Sequence, residues 1–239
     1  MKIVHAYLAT LVVTTTLCTG FYSRDFLKER LNILRQQGFN PHTIYDIGAH
    51  KGLWTREVST IFPQAQYILF EANHAHKAAL ESLSYPVIYA VLGDCLKEVS
   101  FYANNSTGDS MLKEQTSFYT DGNYREYKTH MVPLDALVDE YHLPVPDLVK
   151  IDVQGAELMV LSGGLKTISH AEIIILESNI LQYNYQAPYM LETLRRLDQW
   201  GYQLIDIIEL HYLQTGELMQ VDLMFTKKTS RLFKQGILC

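Results

Sequence analysis

Residues 45–55 read YDIGAHKGLWT, from Tyr45 to Thr55. With Thr43 and Ile44 before it, the stretch is a short apolar run that stops at an acid and a glycine. Residues 53–62 then follow a helical period until Pro63. A buried strand, a turn and a helix is the reading that follows. Glycine at positions 48 and 52 removes the Cβ atoms that would hold a ligand away from the turn. The spacing G-A-H-K-G is neither the G-x-G-x-x-G of a dinucleotide turn nor the G-x-x-x-x-G-K-[ST] of a P-loop. Asp46 stands just before the first glycine. It would repel a pyrophosphate and suits a ligand bearing an ammonium or a hydroxyl.

The same alternation continues outward. AQYILFEA is a second apolar run and ends at Glu71; PVIYAVLGD is a third and ends at Gly93-Asp94. PDLVKIDVQG is a fourth and ends at Asp152, and EIIILES is a fifth and ends at Glu177. Helical segments separate them, at HAHKAALESL, PLDALVDEY, AELMVLSGGLKTI and YMLETLRRLDQWG. EVSFYANN alternates as a strand that could pair locally with the third run. YQLIDII and QVDLMFTKK close the domain as a hairpin-like pair. Residues 104–130 are polar and turn-rich, and a loop of that length in a compact domain is usually functional, here a lid carrying Ser110 and Met111. Strands alternating with helices predict an α/β fold, a doubly wound and mostly parallel seven-stranded sheet with an N-terminal helical extension. Ligands of such sheets sit beyond the carboxyl ends of the strands. Asp46, Glu71, Asp94, Asp152 and Glu177 all fall at such ends.

The chain has 239 residues, 48% hydrophobic and 19% charged, which suits one α/β domain with a short appendage. Its net charge of −6 argues against nucleic acid as a partner. Residues 1–37 read as an apolar segment followed by a helix, 38–228 as the catalytic domain, and 229–239 as a basic tail. Lys227, Lys228, Arg231 and Lys234 at that end read as a solvated cluster. Between Ile3 and Ser23 there is no Lys, Arg, Asp or Glu, so membrane contact through residues 3–23 is open. A spanning helix, a signal segment and an apolar helix packed on the domain all fit. Arg24, Lys28, Arg30 and Arg35 follow this segment, and the positive-inside tendency would leave the catalytic portion in the cytoplasm. Cys18, Cys95 and Cys239 form no CxxC pair, so they read as buried or incidental thiols of a reducing compartment, with no disulfide or zinc site.

Glu71 lies about 20 residues beyond the glycine turn, where an acid accepts hydrogen bonds from an adenine ribose. An adenosine without phosphates and with a positive centre is S-adenosylmethionine; NAD fits less well. TIYDIGAHKGLWT, ILFEANHAHKAAL, VPLDALVDEY and PDLVKIDVQGAELMVLSGG together resemble the FkbM family of S-adenosylmethionine-dependent methyltransferases. The likeness runs from about Gly38 to Lys228, and KIDVQGAEL is its most specific block. It implies a class I, Rossmann-like methyltransferase that methylates hydroxyls of saccharides, glycans or secondary metabolites. It also implies that Asp46, Gly48, Ala49, His50 and Gly52 line the methionine end of the cofactor while Glu71 holds the ribose. Asp94 is assigned to the same cofactor side. His50 stands where the family usually has Asn, and Gln154 where Glu is common.

Methyl transfer to a hydroxyl needs the proton removed as the oxygen attacks. Asp152 is the candidate general base or acceptor-positioning residue, with Gln154 beside it and Glu177 as a second candidate. Glu157 reads either as part of this group or as a first-turn acid of its helix. Asp152, Glu177 and a histidine such as His211 could hold a divalent cation, but the sequence does not require one and no metal is assigned. His74 and His76 read as solvated, because i,i+2 residues diverge on a helix. Tyr183, Tyr185 and Tyr189 suit stacking on a sugar or flat ring. Two other classes stay open, an NAD-type oxidoreductase and a non-catalytic binding or scaffold protein that keeps the fold.

Overall fold

The computed structural model describes residues 26–103, 108–115, 122 and 124–232. The apolar segment 3–23, Cys18, Cys239 and residues 233–239 lie outside them. Among the described residues, ten strands and seven α-helices follow the alternation expected from the apolar runs. The strands are β1 (Thr43–Ile47), β2 (Gln66–Glu71), β3 (Val87–Tyr89), β4 (Val91–Gly93), β5 (Lys97–Ala103), β6 (Arg125–Pro133), β7 (Leu148–Ile151), β8 (Ile173–Asn179), β9 (Tyr202–Tyr212) and β10 (Leu218–Lys227). The helices are α1 (Phe26–Gln36), α2 (Leu53–Ser59), α3 (Lys77–Glu81), α4 (Leu134–Tyr141), α5 (Glu157–Gly163), α6 (Leu165–Ile168) and α7 (Met190–Gln199).

The main sheet has seven strands in the order β3-β2-β1-β7-β8-β10-β9. β10 runs antiparallel to both neighbours and the other pairs are parallel. The doubly wound, seven-stranded expectation is therefore met. Strand side chains alternate between faces, and this divides the core in two. Tyr45, Ile47, Phe70, Val149 and Leu176 pack with Leu134, Val160 and Leu197 of α4, α5 and α7. Ile44, Leu69, Leu148 and Ile175 pack on the other face with Leu31, Leu34, Val58 and Leu80 of α1, α2 and α3. Leu31 and Leu34 are fully buried there, so α1 is continuous with the core of the domain.

Three local expectations change. The third apolar run breaks at Ala90, whose N–H donates to the Glu71 carbonyl, and the chain then leaves the main sheet. Its second half, β4, joins a three-stranded sheet in the order β4-β6-β5, so β4 and β5 pair with β6 and not with each other. The polar stretch 104–130 ends in strand β6, which the alternation in REYKTHMVP shows only weakly. The helix expected at 156–168 is two helices, parted at Gly164, where a Cβ would press on Leu134. At the far end Lys228 pairs with Asp198 at 2.6 Å and the Lys227 Nζ donates to the His170 carbonyl, so these two lysines are anchored to the domain. Cys95 is a free, exposed thiol.

Candidate active site

The strand order reverses between β1 and β7, which opens a crevice at their carboxyl ends. A cavity of about 510 Å³ lies there, within the range of small-molecule sites. Gly48, Ala49 and His50 line it, as do Glu71, Asp152, Gln154 and Glu177.

The glycine turn owes its glycines to its own chain. Gly48 has a φ of +79°, and a Cβ on it would lie 1.8 Å from the Asp152 carbonyl oxygen. Gly52, at φ +72°, would meet Leu83 of the segment after α3. These contacts replace the expected clash with a ligand as the reason for glycine, and Gly52 does not line the cavity. Asp46 is also outside the wall. Period two puts its side chain on the Ile44 face, fully buried beneath α2, where Oδ2 accepts from Thr55 Oγ1 at 2.5 Å. Its Oδ1 lies 3.9 Å from Lys150 Nζ. Asp46 thus fastens strand to helix instead of touching the methionine end. Burial raises its carboxyl above the ordinary value.

Glu71 sits where the sequence placed it. Its Oε1 accepts from Asn73 N–H at 2.7 Å and its Oε2 from His50 N–H at 2.6 Å. Burial pushes its carboxyl up to about 7, against those two hydrogen bonds. Beside it the His50 and His76 rings meet edge to face at 4.1 Å, and His76 Nε2 lies 3.6 Å from Asp109 Oδ2. Burial holds both imidazoles below their usual value. His76 is buried and lines the cavity, which corrects its reading as solvated. Asn73 caps the short 3₁₀ turn His74–His76 through the Ala75 N–H, and that turn sends His76 inward while His74 stays outside on Tyr89.

The opposite end is polar and densely bonded. Lys150 Nζ bonds to Asp152 Oδ2 at 3.0 Å. Burial alone would lower Lys150; Asp152 and Asp46 outweigh it and hold the lysine charged. Burial raises Asp152 too, and Lys150 overcomes it, leaving Asp152 below the ordinary carboxylate value. The Gln154 amide donates to Asp152 Oδ1 at 2.7 Å and to Glu177 Oε2 at 2.9 Å, and its oxygen accepts from Tyr183 OH. Burial raises Glu177 well above its usual value. Glu209, His211, Gln220 and Asp222 of the β9–β10 hairpin complete this wall. Glu157 is not part of it: its Oε1 accepts from Val153 and Gly155 N–H, both at 3.0 Å, so it shapes the turn before α5. Asp94 is exposed and outside the cavity, because the break at Ala90 carries β4 away; Ala90, Val91 and Leu92 take its place in the wall.

Residues 46–204 match the family described as Methyltransferase FkbM domain. The chain belongs to this family. S-adenosylmethionine is its cofactor. A 2-O-methyltransferase NoeI of Sinorhizobium fredii (strain NBRC 101917 / NGR234) is 28% identical over 167 residues, which span 61% of this chain and 67% of that one. Among solved structures, a precorrin-6y C5,15-methyltransferase of Geobacter metallireducens GS-15 is 15% identical, with a TM-score of 0.45 over 84% of this chain and 88% of that one. The magnesium protoporphyrin IX methyltransferase of Synechocystis PCC 6803, with bound S-adenosylmethionine, is 10% identical, with a TM-score of 0.46 over 84% and 80%. At those scores the fold rests on the strand order of this chain itself.

In this FkbM methyltransferase several wall residues escaped the sequence reading. Lys150 and Asp222 are charges inside otherwise apolar strands, LVKI and QVDLMF, and that interruption was the available signal. Asp109 and Trp54 carried none. Of the three tyrosines expected beside the acceptor, Tyr183 lines the cavity, whereas Tyr185 and Tyr189 are exposed and outside it. Ser110 and Met111 of the expected lid do line it, and Ser110 Oγ donates to the Gln154 carbonyl at 2.9 Å. No helix among the described residues is long and apolar enough to cross a membrane.

Proposed function

We propose that this methyltransferase moves the methyl group of S-adenosylmethionine to a hydroxyl of a saccharide, glycan or small secondary metabolite. The observation that carries the reading is that one cavity joins Glu71 and the glycine turn, at one end, to Asp152, Glu177 and the hairpin's polar groups at the other. The cofactor's ribose hydroxyls donate to Glu71, whose two oxygens each keep a lone pair beyond their amide bonds. His50 and Ala49 flank the methionine part, and the sulfonium faces Asp152, held ionised by Lys150. The acceptor oxygen attacks the methyl carbon, the S–C bond breaks and its electron pair stays on sulfur as a thioether. The hydroxyl proton passes to Asp152. The 2-O-methyltransferase name of the NoeI relative supports a hydroxyl acceptor. Family membership argues against the oxidoreductase and non-catalytic readings. The acidic chain keeps nucleic acid out of the partner list, and we place the catalytic portion in the cytoplasm on the charge asymmetry around residues 3–23.

Incubation with methyl-labelled cofactor and a panel of saccharides and phenolic or aliphatic alcohols tests this. A labelled methyl ether is expected, and label found only on nitrogen or carbon overturns it. In the same assay Asp152→Ala should lower kcat by about 10²-fold or more with S-adenosylhomocysteine affinity kept. Glu71→Ala should lower cofactor affinity by about tenfold or more. Equal losses of affinity in both would undo the assigned roles.

A further inference from the structure

The acceptor wall holds more carboxyl groups than cationic side chains. Glu177 on β8 lies directly across from Asp222 on β10, and Asp222 directly across from Glu209 on β9. Paired residues of neighbouring strands share a face, so three carboxylates form a row, and like charges placed opposite one another destabilise a sheet. Lys150 is committed to Asp152 and Asp46. Among the described residues neither Glu177 nor Glu209 has an ion pair, and only His211 stands by Asp222.

Glu177, His211 and Asp222 each present one ligand atom within 4.8 Å of the other two. His211 Nε2 and Asp222 Oδ1 are 3.3 Å apart, long for an N–H···O bond. Donors bound to one cation at about 2.0–2.2 Å stand about 3 Å from each other, so this spacing suits an edge of a coordination shell. Glu177 is oriented as a ligand would be. Two amides, Gln154 Nε2 and Gln220 Nε2 at 2.9 and 2.8 Å, converge on its Oε2, and neither reaches Oε1. Outer hydrogen bonds of this kind fix ligating carboxylates. All three side chains line the cavity, so a cation there has coordination positions open to a substrate.

We infer that Glu177, His211 and Asp222 form a binding site for one divalent cation of the manganese or zinc class, on the acceptor side of the cavity. Two carboxylates and one imidazole are a donor set for such ions. The role of the cation rests on the O-methylation reading. Bound to the acceptor oxygen, it makes the hydroxyl a stronger acid. Asp152, a weak base because Lys150 holds it ionised, can then take the proton. The cation also makes vicinal oxygens of one acceptor chelating, which selects the hydroxyl that faces the methyl group.

The full chain, stripped with a chelator, is titrated with Mn²⁺ while the free ion is followed by electron paramagnetic resonance. One site per chain in the micromolar range is expected. His211→Ala and Asp222→Asn should each weaken it at least tenfold, and Glu71→Ala, at the other end, should leave it unchanged. Calorimetry with S-adenosylhomocysteine shows that the two hairpin variants remain folded, and an unchanged far-ultraviolet circular dichroism spectrum shows it for Glu71→Ala. No Mn²⁺ bound at millimolar concentration, or equal binding by the wild type and both hairpin variants, overturns the site and leaves His211 and Asp222 as an ordinary ion pair. Methyl transfer to nitrogen or carbon would overturn the O-methylation reading while the binding isotherm stood, so the two failures are separable.

Discussion

Glu71 shows how a single side chain is set by what its oxygens already hold. Its two backbone amides favour the charged form, burial opposes it more strongly, and the carboxyl stands at about 7. Ribose hydroxyls donating to the ionised carboxylate shift that balance back and release a proton. S-adenosylhomocysteine should therefore bind about tenfold more tightly at pH 8 than at pH 6. Calorimetry across that range checks it, and Glu71→Gln should flatten the profile; a variant that keeps the full slope places the titration elsewhere. Gln154 is decided by the same logic. As an amide it donates to Asp152 and Glu177 at once. A carboxylate there would add another negative charge and could not donate to either.

At the element scale the turn from β7 to α5 fixes the chemical wall. Gln154 and Gly155 are both left-handed, at φ +57° and +99°, which bends the chain sharply after Asp152. The buried Glu157 carboxylate ties the turn by accepting from Val153 and Gly155, and Gly48 lets the neighbouring loop press onto the Asp152 carbonyl. Burial raises Glu157 to about 7 from 4.5. A carboxyl raised in the fold stabilises it fully below its unfolded value. That contribution is lost as the pH climbs to the folded value, so the window is about pH 4.5–7. Glu157→Gln keeps the acceptor oxygen, and its urea-unfolding free energy should fall less across that window than the wild type's. Glu157→Ala leaves two amides without an acceptor and should cost about 2–4 kcal/mol at every pH. Equal slopes for Gln and wild type would show that Glu157 does not titrate there.

For the whole molecule, the site is a junction of two halves of the sheet. β1 and β2 bring Glu71 and the glycine turn; β7, β8 and the β9–β10 hairpin bring the polar wall. The segment 108–115 crosses between them, with Ser110 bonded to the Tyr102 backbone on one side and the Gln154 carbonyl on the other. A ligand that fills the junction binds only the folded chain. At a hundredfold excess over Kd, S-adenosylhomocysteine should add about 2.7 kcal/mol and raise the thermal midpoint by about 5–10 °C. Calorimetric scanning reads this directly, and an unchanged midpoint would show that the junction does not take the cofactor.

Short continuous apolar runs, broken by glycine stops and helical stretches, made the doubly wound sheet legible, because parallel strands buried on both faces demand that pattern. Glu71, Asp152, Gln154 and Glu177 were legible for the same reason: strand ends meet at a topological switch. What the sequence could not carry was direction. Asp46 and Glu71 turn to the same sheet face, but Asp46 pairs with Leu69, two residues short of Glu71, and so lies under α2 instead of in the crevice. Asp94 ends an apolar run like the others, yet the break at Ala90 takes it out of the sheet. Glu157 and Asp152 are five residues apart, one folded onto amides and one turned into the cavity. The row of Glu177, Asp222 and Glu209 with His211 exists only through the register of β8 against the β9–β10 hairpin. Composition and periodicity therefore determined the fold and the edge on which the site lies. Only tertiary structure decided which acids meet there, because side-chain facing and long-range register are set by packing partners that no local pattern encodes.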